Sequence, residues 1–171
     1  MVAGVTIRAE TAQDQQAIEV LTLVAFMQVE HSQHNEHRII EELRAEGALT
    51  VSLVAEHEGY VVGHAAASPV TLSDGSRGWY GLGPVSVGPG HRGQGIGSAL
   101  VRAVLQQLQE IAAAGCVVLG DPGFYARFGF SRDPALVLPG VPPEFFQIQP
   151  FGEHLPPIGE VEYHPAFAVT G

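Results

Sequence analysis

Apolar residues in the first part of the chain recur with two different periods, which predicts alternating strands and helices. A short strand is expected at residues 5–8. An amphipathic helix follows, beginning at Thr11 as in a capping box and ending near Phe26. A second helix includes residues 38–44. The chain is therefore expected to begin with one strand and two helices.

Strand-like runs come next. Residues 49–55 and 60–67 flank a turn signal at 58–59, so they are expected to form a β-hairpin. A further turn at 73–76 leads to a strand at 82–87. The early strands of the sheet are therefore predicted to be antiparallel.

The strongest helical period runs from Ile96 to about Ala113. Its apolar members lie at three- and four-residue spacing: Leu100, Val101, Val104, Leu105, Leu108 and Ile111. Gly115 is expected to end this helix. The apolar run 116–119 is expected to form a strand parallel to the one at 82–87, joined to it by a right-handed crossover. The predicted sheet is therefore mixed.

The last part of the chain differs in composition. Residues 134–165 hold eight of the twelve prolines, yet they are too apolar for disorder. We expect an irregular segment that wraps around the core, with a final strand near 160–163. With 171 residues and a hydrophobic content of 46%, the chain can bury one core. Residues 1–171 are therefore predicted to form one domain of the α/β (α+β) class.

Charge and cysteine content narrow the range of ligands and locations. The chain has eight arginines, no lysine and 18 acidic residues, for a formal net charge of −10. This balance argues against nucleic acid and anionic membranes, and it favours a cationic or amine-bearing substrate. No secretory signal or membrane span is apparent, and the one cysteine, Cys116, is interpreted as a small buried hydrophobe rather than a nucleophile. A cytoplasmic location is expected.

The most informative segment is a glycine loop between the strand at 82–87 and the long helix. Arg92, Gly93, Gly95 and Gly97 lie where the helix begins. A helix start offers unpaired N–H groups and the positive end of the helix dipole, and glycine lets the backbone approach a phosphate closely. Arg92 can add a charge-assisted fork. The loop therefore predicts a phosphate-bearing ligand.

Two other phosphate-binding patterns fit less well. A P-loop needs a lysine, which the chain lacks. The dinucleotide fingerprint is met at Gly93 and Gly95, but Ser98 occupies its third glycine position and the loop after Val87 is long for that turn. Because the fingerprint is partly matched, a protein that binds a nicotinamide or flavin cofactor stays open as an alternative.

Two motifs carry a family resemblance. The run Arg92-Gly-Gln-Gly-Ile-Gly97 resembles the Gln/Arg-x-x-Gly-x-Gly/Ala signature of the acetyl-CoA-dependent N-acetyltransferases of the GNAT family. Residues 115–130 resemble the strand, short helix and Tyr-x-x-x-Gly-Phe ending of that family. Their Gly-Asp-Pro-x-x-Tyr-x-Arg-Phe-Gly-Phe sequence is similar to a bacterial branch of predicted acetyltransferases. The resemblance extends from about residue 7 to 167, and its specific motifs lie within 81–130.

The resemblance implies a central mixed sheet of six to seven strands with about four helices, in which the fourth and fifth strands splay apart. Acetyl-CoA is the implied co-substrate. Ten residues match the family's cofactor contacts: Val85, Val87, Arg92, Gly93, Gln94, Gly95, Ile96, Gly97, Ser98 and Phe124. An ordinarily paired strand is the alternative for the two valines. Gln94 stands where relatives often carry a basic residue, which leaves Arg92 as the one fixed positive charge of the loop.

The resemblance also implies a reaction. Tyr125 matches the family tyrosine beside the cofactor sulfur and is the implied general acid, for which a phenol with a reference pKa of about 10 is suited. Its alternative role is that of a core aromatic residue. The implied reaction moves an acetyl group to a primary amine of a small molecule or peptide by direct attack in a ternary complex. The oligomeric state stays open between a monomer and a homodimer. A non-catalytic acyl-CoA sensor or scaffold is the alternative function.

The general base is open at this point. His64 and Glu30 are candidates. At helical spacing, His31, His34 and His37 would lie along one face, next to acidic residues. Such a cluster is either a metal site or a solvated or substrate-facing group, and we favour the second interpretation because no strong third ligand is evident. No metal is therefore predicted.

Overall fold

The computed structural model describes residues 3–30 and 32–169. Within them the helices are α1 (Gln15–Phe26), α2 (Glu36–Ala45), α3 (Ile96–Glu110) and α4 (Pro122–Ala126). The strands are β1 (Val5–Ala9), β2 (Val51–His57), β3 (Tyr60–Pro69), β4 (Thr71–Leu72), β5 (Trp79–Val87), β6 (Gly115–Leu119), β7 (Leu136–Val137), β8 (Phe146–Pro150) and β9 (Gly159–Glu162). None of the helices in these two ranges is both long enough and apolar enough to cross a membrane.

A six-stranded sheet forms the centre of the fold, in the order β1-β2-β3-β5-β6-β8. Neighbouring strands are antiparallel except β5 and β6, which are parallel and are connected through α3. A smaller sheet contains β4, β9 and β7. The prediction of a mixed sheet, antiparallel early and parallel across the α3 unit, is confirmed.

Helices cover both faces of the central sheet. Leu53 of β2 packs in the apolar cluster that contains Leu100 of α3, whereas the next residue, Val54, packs with Ile18 of α1 and Ile40 of α2. Successive side chains of a strand point to opposite faces of a sheet. The long helix α3 therefore lies on one face, and α1 and α2 lie on the other.

Small residues of β3 let α3 approach the sheet closely. A Cβ atom at Gly63 would lie 2.9 Å from Cδ1 of Leu100, and the side chains of Ala65 and Ala67 are completely buried. Larger side chains at these positions would push α3 away from the sheet, at a cost of about 1–3 kcal/mol for an overpacked site. Because the glycine loop leads into α3, this packing also positions the loop.

A gap opens between β5 and β6. Their pairing ends at Leu82 and Val118, and β5 then continues to Val87 without a β6 partner in the described chain. On its other side, β5 carries one extra residue relative to β3 where the register shifts between residues 65 and 67. Such a bulge bends its strand. The fourth and fifth strands of the central sheet, in chain order, therefore splay apart as the resemblance implied.

The end of α3 was predicted incorrectly. The helix ends at Glu110, and Gly115 begins β6 instead of ending the helix. Ala112 adopts a φ of 62°, and the N–H of Ala113 donates to the carbonyl of Leu108 at 2.9 Å. This is a Schellman-type ending. Because alanine stands where glycine is usual, the sequence contained no local signal for it.

The proline-rich segment contains more regular structure than expected. Residues 146–150 form β8, which pairs antiparallel with β6 at the edge of the central sheet. The predicted final strand is present as β9. The pattern missed β8 because Pro142 and Pro143 lie shortly before it and Pro150 ends it, and because strand formation depends on a partner that is distant in sequence.

Candidate active site

A cavity of about 500 Å³, which we call the loop cavity, lies between the end of β5, the glycine loop, the start of α3 and α4. Nine of the ten residues that matched cofactor contacts line it: Val85, Val87, Arg92, Gly93, Gly95, Ile96, Gly97, Ser98 and Phe124. The tenth, Gln94, is exposed and lies outside the lining. The fold therefore brings nearly all of the predicted cofactor residues into one cleft.

The start of α3 presents free N–H groups to the loop cavity. Gly95 is the N-cap residue, and no side chain in the described chain caps this helix. Gly93 and Gly95 have φ angles of 75° and 82°, a region that favours glycine. The N–H groups of residues 96–98 have no acceptor within the helix. Together with the helix dipole they form a site suited to an anion.

The exposed edge of β5 supplies further donors. The N–H of Gly88 donates to the carbonyl of Val62 at 2.9 Å, at the end of the β3–β5 ladder. Hydrogen bonding alternates along an antiparallel strand, so the N–H groups of Val85 and Val87 point away from β3. They face the gap that β6 leaves open. This arrangement differs from the ordinary paired strand that was the alternative for these two residues.

Arg92 connects the loop to α1. Its Nη2 donates to the carbonyl of Ala25 at 2.8 Å, and its Nε donates to the carbonyl of Val87 at 3.4 Å. Ala25 lies in the last turn of α1, where unpaired carbonyls attract a cation. Arg92 therefore lines the loop cavity while part of its guanidinium group is engaged by backbone carbonyls.

Two further basic side chains line the loop cavity. They are His91 and Arg127. The guanidinium carbon of Arg127 lies 4.6 Å above the ring centre of Phe124, and its Nε donates to the carbonyl of Phe124 at 3.3 Å. Sequence reasoning missed Arg127 as a site residue. The available signal was its place two residues after Tyr125 in the second motif.

Tyr125 is held by α4 and by an aromatic cluster. The side chain of Asp121 accepts a hydrogen bond from the N–H of Gly123 at 2.9 Å and so caps α4. The Tyr125 ring lies 5.0 Å from the ring of Phe124 and 6.0 Å from that of Phe130. Burial raises the pKa of Tyr125 to about 12, with Cys116 and Asp121 acting in the same direction. The phenol is therefore neutral near pH 7 and can donate a proton.

A second cavity, of about 520 Å³, lies on the side of the sheet covered by α1 and α2. We call it the α1–α2 cavity. Phe26 of α1 and Ile39 of α2 contribute to its wall, as does Tyr163, the residue that follows β9. Val85 and Tyr125 line both cavities. The two cavities therefore meet at the splayed strand and the buried phenol.

Comparison with known proteins agrees with this geometry. Residues 16–130 match the model of the acetyltransferase (GNAT) family. The chain belongs to the GNAT family. This match covers both motifs and the strands that splay apart.

Solved structures of GNAT proteins share the whole fold. A GNAT family acetyltransferase from Brucella melitensis, solved in complex with acetyl-CoA, has 46% sequence identity and a TM-score of 0.84; the alignment covers 95% of this chain and 97% of that one. YhbS from Escherichia coli, a GNAT family N-acetyltransferase solved with CoA, has 33% identity and a TM-score of 0.87, with 100% and 96% coverage. The GNAT-like α/β architecture is thereby established.

Curated GNAT relatives match over a shorter range. The uncharacterized N-acetyltransferase YhbS of Escherichia coli strain K12 is 43% identical over 96 residues, which is 56% of this chain and 58% of that protein. The chain thus aligns with a little over half the length of this relative.

The sequence candidates for a general base in this GNAT protein lie outside both cavities. His64 is completely buried on β3, with its Nε2 2.8 Å from Oγ of Ser52. Ser52 bonds to Glu10, which accepts two hydrogen bonds from Arg44. Burial lowers the pKa of His64 to about 4; Glu10 opposes this effect and Arg44 adds to it. His64 is therefore a neutral part of a buried polar chain, and Glu30 is exposed at the surface.

The histidine run does not form one helical face. The structure places His34 in the loop before α2, with a φ of 57°, and His37 in the first turn of α2. His31 lies outside the described residues. Within residues 3–30 and 32–169, no three His, Cys, Asp or Glu side chains are grouped closely enough to hold a metal ion. The expected helical spacing was wrong because the described residues between α1 and α2, 27–30 and 32–35, are not helical.

Cys116 is buried in β6 of this GNAT domain. Burial raises the pKa of its thiol well above the usual range. A neutral, inaccessible thiol is a poor nucleophile. The prediction that Cys116 is a small buried hydrophobe is confirmed.

Proposed function

We propose that this protein transfers an acetyl group from acetyl-CoA to a primary amine of a small molecule or peptide, by direct attack in a ternary complex. The observation that carries the proposal is the meeting of two cavities at Val85 and Tyr125. Two substrates can then reach one point from opposite sides of the sheet. We also infer that the protein belongs to the branch with the Gly-Asp-Pro-x-x-Tyr-x-Arg-Phe-Gly-Phe motif at 120–130.

The loop cavity suits the CoA portion. Its uncapped helix start and glycine loop are chemically matched to a diphosphate. The N–H of Val87 is a donor of the kind that an extended amide-bearing arm requires, and the N–H of Val85 is left for the acetyl oxygen. Relatives from Brucella melitensis and Escherichia coli were solved with acetyl-CoA and CoA respectively. We therefore assign Val85, Val87, residues 92–98 and Phe124 to cofactor binding.

Acetyl-CoA supplies an activated acetyl group as a thioester. In the proposed reaction the amine reacts in its neutral form: its nitrogen bonds to the acetyl carbon, and the carbon–sulfur bond breaks. The nitrogen gives up a proton to solvent water, from which Tyr125 recovers the proton that it gives to sulfur. An amine that binds as an ammonium ion first loses one proton to solvent water. The N–H of Val85 is assigned the role of donor to the acetyl oxygen, where negative charge develops. Tyr125 is assigned the role of proton donor to the departing sulfur, a role that its neutral phenol can fill. Alignment of the two substrates supplies much of the remaining rate enhancement.

Isothermal titration with acetyl-CoA tests the cofactor half of the proposal, with NAD as the control ligand. Saturable binding of acetyl-CoA and no binding of NAD is the expected result. A preference for NAD would instead support the nicotinamide alternative. Release of free CoA thiol in the presence of an amine panel then tests the transferase half. Binding of acetyl-CoA without thiol release on any amine would support a sensor or scaffold.

A further inference from the structure

The α1–α2 cavity has an unusual balance of side chains. Most of its lining is aliphatic or aromatic, contributed among others by Phe26, Ile39, Leu119 and Phe167. Among the described residues that line it, Glu36 is the only one with a formal charge. Arginine and histidine are absent from this part of the lining, in contrast to the loop cavity. The cavity therefore combines apolar walls with one carboxylate.

The Glu36 carboxylate is held in place. The hydroxyl oxygen of Ser32 lies 2.8 and 2.7 Å from its two oxygens. Glu36 is the first residue of α2, where the helix dipole favours a negative charge. The side chain is half-buried, so its interactions are screened less than those of a fully exposed carboxylate.

A second polar group in the same cavity lacks a partner. The phenol oxygen of Tyr163 is buried and makes no hydrogen bond within the described chain. The ring is fixed in place, since it lies 5.0 Å from the ring of Phe167 and a Cβ at Gly81 would come within 2.9 Å of its Cε2. A buried hydroxyl without a partner is unfavourable, and such groups are rare in proteins. Because this oxygen is shielded from the cavity, the ring of Tyr163, and not its hydroxyl, contributes to the apolar wall.

We propose that the α1–α2 cavity selects a small, largely apolar primary amine that binds as a cation and carries no carboxylate, and that Glu36 determines this selection. This inference rests on the proposed function for its reaction. An ammonium group gains the attraction of Glu36, whereas an acceptor carboxylate would meet like charge and lose water without finding a cation in the lining. The formal net charge of −10 acts in the same direction during encounter.

Binding to the CoA-saturated protein tests this selection independently of turnover. Three probes share one apolar body: phenethylamine, phenylalaninol and phenylalanine. The first two are cations near pH 7, and phenylalaninol has the added bulk of phenylalanine without its carboxylate. Calorimetry is expected to detect phenethylamine and phenylalaninol, with phenylalanine bound about tenfold more weakly or not at all. Cadaverine and lysine form a second pair, with cadaverine expected to bind more tightly.

Variants test whether Glu36 is the residue that causes this selection of acceptors. Glu36→Gln is expected to weaken binding of the two cations about tenfold and to reduce their advantage over phenylalanine. Glu41→Gln is the matched control, because Glu41 is exposed on the same helix and lies outside the cavity lining. The control is expected to bind like the wild type.

The outcomes separate the inference from the proposed function. Equal affinity for phenylalanine and phenylalaninol, binding of none of the probes at millimolar concentration, or an unchanged preference in Glu36→Gln would each overturn the inference. Selective binding of the cations without release of CoA thiol from acetyl-CoA would leave the inference intact and contradict the transferase reaction.

Discussion

The two cavities that meet at Tyr125 are built in different ways. The loop cavity depends mainly on backbone groups from a nearly continuous segment: the end of β5, the glycine loop and the first turn of α3. The α1–α2 cavity depends on side chains from α1, α2, β5, β6 and the C-terminal part of the chain. A backbone site tolerates varied side chains if its glycines and helix start are kept. A side-chain cavity changes its preference when one residue changes, which allows one cofactor site to serve different acceptors.

The largest expected effect is the pH dependence of stability caused by His64, which lies in the buried polar chain on the α1–α2 side of the sheet. The pKa of His64 is about 4 in the folded protein, below the ordinary value of 6.5. Between these two pH values the unfolded chain binds more protons than the folded one. The free energy of unfolding is therefore highest above pH 6.5 and decreases as the pH falls towards 4, by up to about 3 kcal/mol. Urea unfolding measured at several pH values checks this. His64→Gln keeps a polar group near Ser52 and is expected to reduce the dependence of the free energy of unfolding on pH between 4 and 6.5. An unchanged dependence would show that other groups cause it.

Replacing Tyr125 by phenylalanine tests the point where the cavities meet. We expect turnover to fall about 10²-fold, because the proton donor to the leaving sulfur is lost. Cofactor affinity is expected to stay nearly the same, since the aromatic contacts with Phe124 and Phe130 are kept. Single-turnover kinetics and acetyl-CoA titration measure the two quantities. An unchanged rate with chemistry as the slow step would remove Tyr125 from its assigned role.

Arg92→Ala examines how far the loop cavity depends on a side chain. We expect acetyl-CoA affinity to decrease about tenfold, the amount typical of one charge-assisted hydrogen bond. Arg77→Ala is the matched control, because Arg77 is exposed and lies outside the loop cavity. If both variants bind acetyl-CoA like the wild type, the backbone amides suffice and Arg92 serves only to link the loop to α1.

The smallest effect is expected from Tyr163→Phe. Removing a buried hydroxyl without a partner should leave the melting temperature unchanged or slightly higher. Affinity for phenylalaninol should stay close to that of the wild type, because the phenol oxygen is shielded from the cavity and the ring is kept. Thermal unfolding and calorimetry on the same preparation measure both. A clear loss of stability or of acceptor affinity would show that the hydroxyl has a partner and contradict this prediction.

Sequence reasoning succeeded where the determinants are local. The capping box at Thr11 is present, with the N–H of Thr11 donating to Asp14 at 2.7 Å. The glycine loop also lies where the pattern placed it, at the start of α3. Errors arose where local signals were missing, as at Ala112, or where the partner was remote, as for β8. Each of these structures depends on contacts that a short window of sequence does not contain.

The amino-acid sequence by itself determined the alternation of strands and helices, the mixed sheet and the anion site at the start of α3, because these follow from short-range periodicity and from backbone groups near glycine. Only the tertiary structure decided that Arg127 lines the loop cavity and that Glu36 and Tyr163 share a cavity with Tyr125. Residues 36, 125 and 163 are far apart along the chain. Their meeting depends on the order of strands in the sheet, on the face to which each helix packs, and on the gap between β5 and β6. The proposed choice of acceptor therefore depends on long-range packing, whereas the proposed phosphate site depends mainly on one local segment.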